Sequence, residues 1–181
     1  MLDPNIIIGC KRQQAAAQRR LFAHFAPVMM TAARRYATDW AEAEDILQEA
    51  FVKVFRSFEQ FNPEKGALEA WIRRIVVNTA IQHWHRWRKD RATVSDEILA
   101  SQPVEFDPDS PLTEEEILAH IAALPPGFRM VFNLYAIEGY AHAEIAEMLG
   151  ITESASRSQL ARARQQLQRV MLEKEKMGIG D

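Results

Sequence analysis

From Glu138 to Arg164 the chain reads Glu-Gly-Tyr-Ala-His-Ala-Glu-Ile-Ala-Glu-Met-Leu-Gly-Ile-Thr-Glu-Ser-Ala-Ser-Arg-Ser-Gln-Leu-Ala-Arg-Ala-Arg. Ile145, Met148 and Leu149 fall at i, i+3 and i+4, so a short helix is predicted there. Gly150 stands where the backbone must turn with positive φ, and the hydroxyl of Thr152 can cap the helix that follows. That second helix carries Leu160, Ala163, Leu167, Val170 and Met171 on one face. Ser154, Ser158, Arg162 and Gln165 lie on the other, flanked by Arg157 and Arg164. Two helices joined by so tight a turn, the second displaying Arg, Ser and Gln, have the layout of a helix-turn-helix. Such a unit lays its second helix in the major groove of DNA.

Nowhere does the chain alternate apolar and polar residues as a strand would, and an all-α fold is expected. Residues 5–36 read as helix, with Leu21, Phe22, Phe25, Val28 and Met29 at helical spacing and Pro27 as a place to kink or split. After a break at Thr38-Asp39-Trp40, a second helix runs from about Ala41 to Phe58; Glu42, Glu44 and Asp45 suit the positive end of its dipole. A loop at Phe61–Gly66 precedes a third long helix, Ala67 to Lys89. Residues 91–113, with three prolines, read as a linker. Then come helices at Glu114–Leu124 and, past the Pro125-Pro126-Gly127 break, Phe128–Ile137. Two small helical domains, 1–90 and 114–181, are therefore expected around the linker.

The net charge of −3 looks wrong for a nucleic-acid binder until its distribution is seen. Residues 1–94 carry 15 Lys/Arg against 10 Asp/Glu, and residues 117–181 carry 7 of each. Residues 95–116 hold 8 acidic side chains and no basic one. The acidity is confined to the linker and the start of the next helix, so the overall charge does not argue against DNA. No apolar run approaches the roughly 18–20 residues of a membrane span, and Ile6-Ile7-Ile8 is too short for a signal-peptide core. A cytoplasmic protein without membrane insertion is the expectation. Cys10 is the sole cysteine, and His83 and His85 do not share a helical face, so no disulfide framework or metal site is expected. With no nucleophile–base arrangement and no P-loop, neither catalysis, a cofactor nor a small-molecule substrate is expected.

The third helix has two faces. Ile72, Val76, Ala80, Trp84 and Trp87 form a broad apolar side for the first two helices. Trp71, Ile75, Asn78, Gln82 and His85 lie opposite with Arg74 alongside, and the end is basic at Arg86, Arg88, Lys89 and Arg91. Aromatics stack bases, amides read base edges and cations hold phosphates, a combination suited to single-stranded nucleic acid.

Taken together, Ala43–Phe55, Ala70–Ala80, Leu124–Phe132 and the helix-turn-helix resemble, in order, the motifs of sigma-70 family sigma factors, in particular the two-domain extracytoplasmic-function (ECF) group. The resemblance implies a promoter-specificity subunit for core RNA polymerase, a region 2-like domain before the linker and a region 4-like domain after it. Asp45, Gln48, Glu49 and Lys53 would face the polymerase. Asn62, Arg74, Asn78, Gln82 and Arg86 would serve the −10 element, with the loop Phe58–Gly66 and the face of Asn78 and Gln82 capturing a base flipped from the non-template strand. Arg157, Ser158 and Arg162 would contact the −35 duplex, with Gln159 and Arg164 in second rank. An anti-sigma factor gripping both domains is a further implied partner. A stand-alone operator-binding regulator and a sigma-like interaction scaffold are the alternatives; in either, Asn78, Gln82 and the basic helix end would be superfluous.

Two residues depart from the family pattern. Ala141 stands where a small capping hydroxyl is usual, three residues before Glu144, which removes the side-chain half of a capping box. Ser156 replaces an aliphatic residue on the core side of the recognition helix, where its hydroxyl is expected to bond a backbone carbonyl one turn back.

Overall fold

The computed structural model describes residues 3–90 and 113–177; the linker reading at 91–112 lies outside the described residues. Every regular element among them is helical. The chain divides into two compact units, Met1–His83 and Trp84–Asp181.

The first unit contains α1 (Pro4–Lys11), α2 (Ala15–Arg34), α3 (Trp40–Arg56) and most of α4 (Leu68–Asp90). Asp3 caps α1 by accepting from the Asn5 N–H at 2.9 Å, with Pro4 in the first turn where its missing N–H costs nothing. The break at Thr38–Trp40 is a second cap. Asp39 accepts from the Glu42 N–H at 2.8 Å, and Glu42 accepts in return from the Thr38 N–H and hydroxyl at 2.6 Å. Leu21 and Met29 of α2, Ile46 and Val54 of α3, Phe58, and Ile72, Val76 and Val77 of α4 are fully buried.

The expected first helix is interrupted at Arg12–Gln14, not at Pro27, which lies within a continuous α2. Gln13 takes a left-handed backbone, φ 56°, that its residue type does not advertise, and its side-chain amide donates to the Phe55 carbonyl of α3 at 2.9 Å. α1 thereby folds back on α2 so closely that a Cβ on Gly9 would sit 2.5 Å from that of Ala17. Pro27 forfeits one backbone hydrogen bond, and α2 stays whole because buried Leu21, Phe25 and Met29 hold it on both sides.

The second unit contains α5 (Glu114–Ala123), α6 (Pro126–Phe132), α7 (His142–Leu149) and α8 (Glu153–Met177). Thr113 and Glu116 close a full capping box on α5, at 3.2 Å and 2.7 Å. Helix α6 begins at Pro126, inside the expected break, since proline at the first helical position gives up only an N–H that has no partner there. Asn133–Ile137 continues it as a π-helical stretch, with the buried Asn133 amide donating to the Arg129 carbonyl at 2.9 Å. Leu124, Phe128 and Ala163 form a core against which Phe132 and Leu167 pack. The turn between α7 and α8 is as expected: Gly150 is left-handed at φ 63°, and Thr152 accepts from the Ala155 N–H at 3.1 Å. Met171, placed on the apolar face by spacing, is 53% exposed, because the core under α8 ends near Leu167.

Candidate nucleic-acid interface

In the first unit the chain between α3 and α4 makes two short 3₁₀ turns, Phe58–Gln60 and Pro63–Lys65. Phe58 and Phe61 are buried and brace Trp71 of α4: its ring stands edge-on to Phe58 at 5.7 Å and lies 5.5 Å from Phe61. Beside this braced indole is an open cavity of about 340 Å³ whose lining includes Phe61, Asn62, Lys65, Trp71 and Arg74. Asn62 also shapes the loop, its side-chain oxygen accepting from the Glu64 N–H at 2.9 Å. The cavity thus offers aromatic surface, an amide and two cations, the groups that hold a base and its phosphate.

Asn78 and Gln82, expected to share in base capture with this loop, do not line the cavity. They are exposed further along α4, at one-turn spacing from Arg74. The aromatic wall is Trp71, which spacing sets with Asn78 and Gln82 opposite the apolar side of the helix. Arg86 is exposed on the same helix.

On α3, Asp45 and Gln48 are exposed as expected. Glu49 and Lys53 are half-buried and turned toward α4. The Lys53 ammonium donates to Glu49 Oε1 at 2.7 Å, Thr79 Oγ1 at 3.2 Å and Gln82 Oε1 at 2.6 Å. The other Glu49 oxygen meets His83 Nε2 at 2.9 Å. Of the four residues expected to face the polymerase, two are therefore built into the α3–α4 seam. The outward row instead includes Val52, 47% exposed. Only the i, i+4 spacing of Glu49 and Lys53 hinted at this pairing; the contact with Gln82 spans 29 residues.

In the second unit α8 exposes Arg157, Ser158, Arg162 and Arg164, while Gln159 is half-buried. Arg157 pairs with Glu153 one turn back. The Arg162 guanidinium lies 6.0 Å from the Phe128 ring centre, and that of Arg164 lies 5.6 Å from Tyr135. Ser156 is completely buried, and its hydroxyl meets His142 Nδ1 at 2.9 Å rather than a backbone carbonyl. Tyr135 stacks on the same imidazole at 4.5 Å. Burial, with the positive charges of Arg157 and Arg164, holds the His142 pKa below its ordinary value against the opposing pull of Glu153. At the N-terminus of α7, Ala141 is extended at φ −71°, ψ 154° and its N–H donates to Glu144 Oε2 at 2.8 Å; the other half of the box is absent. No group of three His, Cys, Asp or Glu among the described residues could hold a metal ion.

Residues 21–91 match the family model for Sigma-70 region 2, and residues 114–167 match that for Sigma-70, region 4. The ECF RNA polymerase sigma-E factor of Haemophilus influenzae is 30% identical over 138 residues, covering 68% of this chain and 71% of that protein. The chain belongs to the ECF group of the sigma-70 family. The cavity and the α3–α4 seam therefore lie in region 2, and the helix-turn-helix lies in region 4. The ECF RNA polymerase sigma factor SigE of Mycolicibacterium smegmatis is 35% identical over 142 residues, 75% of this chain. The chain spans about half the length of that relative, 54%, and 43% of a probable sigma factor, RfaY, from Xanthomonas campestris pv. campestris. The fold is also that of the sigma factor RpoE solved with the anti-sigma factor NepR from Bartonella quintana, at a TM-score of 0.51 and 20% identity over 84% of this chain and 95% of that one. No helix among the described residues is long and apolar enough to cross a membrane.

Proposed function

We propose that this chain is a promoter-specificity subunit that binds core RNA polymerase and directs initiation by reading −35 and −10 elements. The observation that carries the reading is the cavity beside Trp71, which combines aromatic walls, the Asn62 amide and the Lys65 and Arg74 cations. Its volume of about 340 Å³ is in the range of small-ligand pockets and suits one extruded base. Unstacking a base costs a few kcal/mol, and a pocket that receives it offsets that cost. Residues 1–90 work on the −10 element, 91–113 link, and 114–181 read −35.

In this reading Asp45 and Gln48 meet the polymerase directly, while Glu49 and Lys53 support α3 from behind. Asn62 and Arg74 serve the cavity, and Asn78, Gln82 and Arg86 contact the strand beyond it. Arg157, Ser158 and Arg162 face the −35 duplex, with Arg164 at the edge and half-buried Gln159 a lesser contributor. The chain works in the cytoplasm and is not itself an enzyme; the polymerase makes RNA. An anti-sigma factor is a second partner, supported by the solved complex of a protein of the same fold.

In vitro transcription with core polymerase over a promoter pool tests the reading. Promoter-specific initiation that needs this protein, with strand opening reduced by Trp71→Ala, is the expected result. Binding to a duplex operator without polymerase, or no initiation on any template, refutes it.

A further inference from the structure

We propose that Lys53 determines promoter specificity indirectly, by deciding which hydrogen-bonding group Gln82 presents to DNA. The inference rests on the reading of Gln82 as a promoter contact. A lysine ammonium has three donors and no acceptor, and all three protons of Lys53 are accounted for. Glu49 Oε1 and Gln82 Oε1 accept two of them. Thr79 Oγ1 accepts the third, because its own proton is given to the Ile75 carbonyl at 2.8 Å. An amide's oxygen and nitrogen are easily confused by shape alone, but a donor-only partner removes the ambiguity. The group of Gln82 bound by Lys53 is the oxygen, so the amide is turned with that oxygen to the α3–α4 seam and its NH₂ away from it.

Gln82 thus meets DNA with its NH₂ leading and its oxygen held toward Lys53. On the major-groove edge guanine offers two acceptors, thymine one and adenine one, whereas cytosine offers only its amino group. Where the base pair facing Gln82 is still closed, with cytosine N3 and O2 engaged by guanine, the position is therefore read against cytosine. Without Lys53 the amide can turn over and accept from that amino group, and the discrimination disappears. Lys53 is a positioning residue here: it need not touch DNA, and its own position is held by Glu49, whose second oxygen engages His83.

The test is in vitro transcription by the holoenzyme on templates carrying each base in turn across the −10 region. Ratios between templates cancel any change in polymerase affinity. The wild type is expected to disfavour cytosine at one position by roughly fivefold, about one hydrogen bond. Gln82→Ala should abolish that preference alone. Lys53→Met should bring it to near unity and add nothing to Gln82→Ala, while Lys53→Arg, still a donor, should retain it. Gln82→Glu presents only acceptors and should turn the preference toward cytosine, and should Lys53→Met fail to fold, Lys53→Gln, which can accept as well as donate, should likewise bring the preference to near unity. An unchanged profile in Lys53→Met, an equal loss at every position, or no reversal in Gln82→Glu overturns the proposal. Should the wild type initiate normally and Gln82→Ala leave the profile intact, only this inference fails. Should the wild type support no initiation, the promoter-subunit reading fails first.

Discussion

Replacing Ala141 with serine should stabilise the start of α7, and the structure indicates by how much. The residue already has the extended backbone of an N-cap, φ −71° and ψ 154°, so serine requires no rearrangement. Glu144 already closes one half of the box by accepting from the Ala141 N–H at 2.8 Å. A serine hydroxyl would supply the other half by accepting from the Glu144 N–H, which α7 itself leaves without an intrahelical acceptor. Installing a capping hydroxyl in place of alanine contributes about 0.5–1 kcal/mol where the geometry is ready. That corresponds to roughly two- to fivefold slower exchange of the Glu144 amide hydrogen if it opens with the unit. It also corresponds to a rise of roughly 2–8 °C in the unit's melting temperature. Amide hydrogen exchange on the full chain reads the first quantity residue by residue. Trp40 and Trp71 lie in the first unit and Trp84 and Trp87 in the second, so indole fluorescence follows both units and exchange at Glu144 is the specific readout. Unaltered Glu144 protection together with an unaltered second transition would falsify the claim that α7 lacks a cap worth having.

Three further outcomes are expected. Gly9→Ala drives a methyl to within 2.5 Å of the Ala17 Cβ and should cost about 1–3 kcal/mol by denaturant unfolding. Combining it with Ala17→Gly should cost less than the two separately, and strict additivity would show that the α1–α2 approach is not the cause. Asp39→Ala removes the acceptor of the Glu42 N–H and should lower first-unit stability by about 1 kcal/mol, with the loss visible in tryptophan-detected melting. For His142 the folded pKa is below the ordinary value, so between the two values the unfolded chain binds more protons and stability rises with pH. The second unit should therefore be at full stability above the ordinary histidine value of about 6.5 and lose stability as the pH falls below it. His142→Gln should flatten that slope; an equally steep acid loss in the variant would place its origin elsewhere.

Most of the helices, the cap at Thr152 and the turn at Gly150 were legible because each depends on near neighbours in the chain. The spacing of Ile145 and Leu149 and the hydroxyl of Thr152 act within a turn or two, so sequence pattern and structure agree on them, while the break at Thr38–Trp40 was legible but the Asp39 cap that makes it was not. Where the reading failed at the first helix and at Ser156, a more distant partner was responsible. The interruption at Arg12–Gln14 depends on α1 finding Ala17 and on Gln13 finding Phe55. The buried hydroxyl of Ser156 chose His142, 14 residues earlier, over the nearby backbone.

The same division runs through the candidate site. Residue type and order along the chain determined the all-α class, the place of the recognition helix and the family motifs, since helical period and capping are local properties. Only the tertiary structure decided that Trp71 is the wall of a cavity, that Asn78 and Gln82 lie outside it, and that Lys53 points across to Gln82 rather than outward. A side chain on a helix can be assigned a face from its spacing, but what meets that face depends on how two helices pack. The Lys53–Gln82 contact joins residues 29 positions apart, where no periodicity in the sequence reaches.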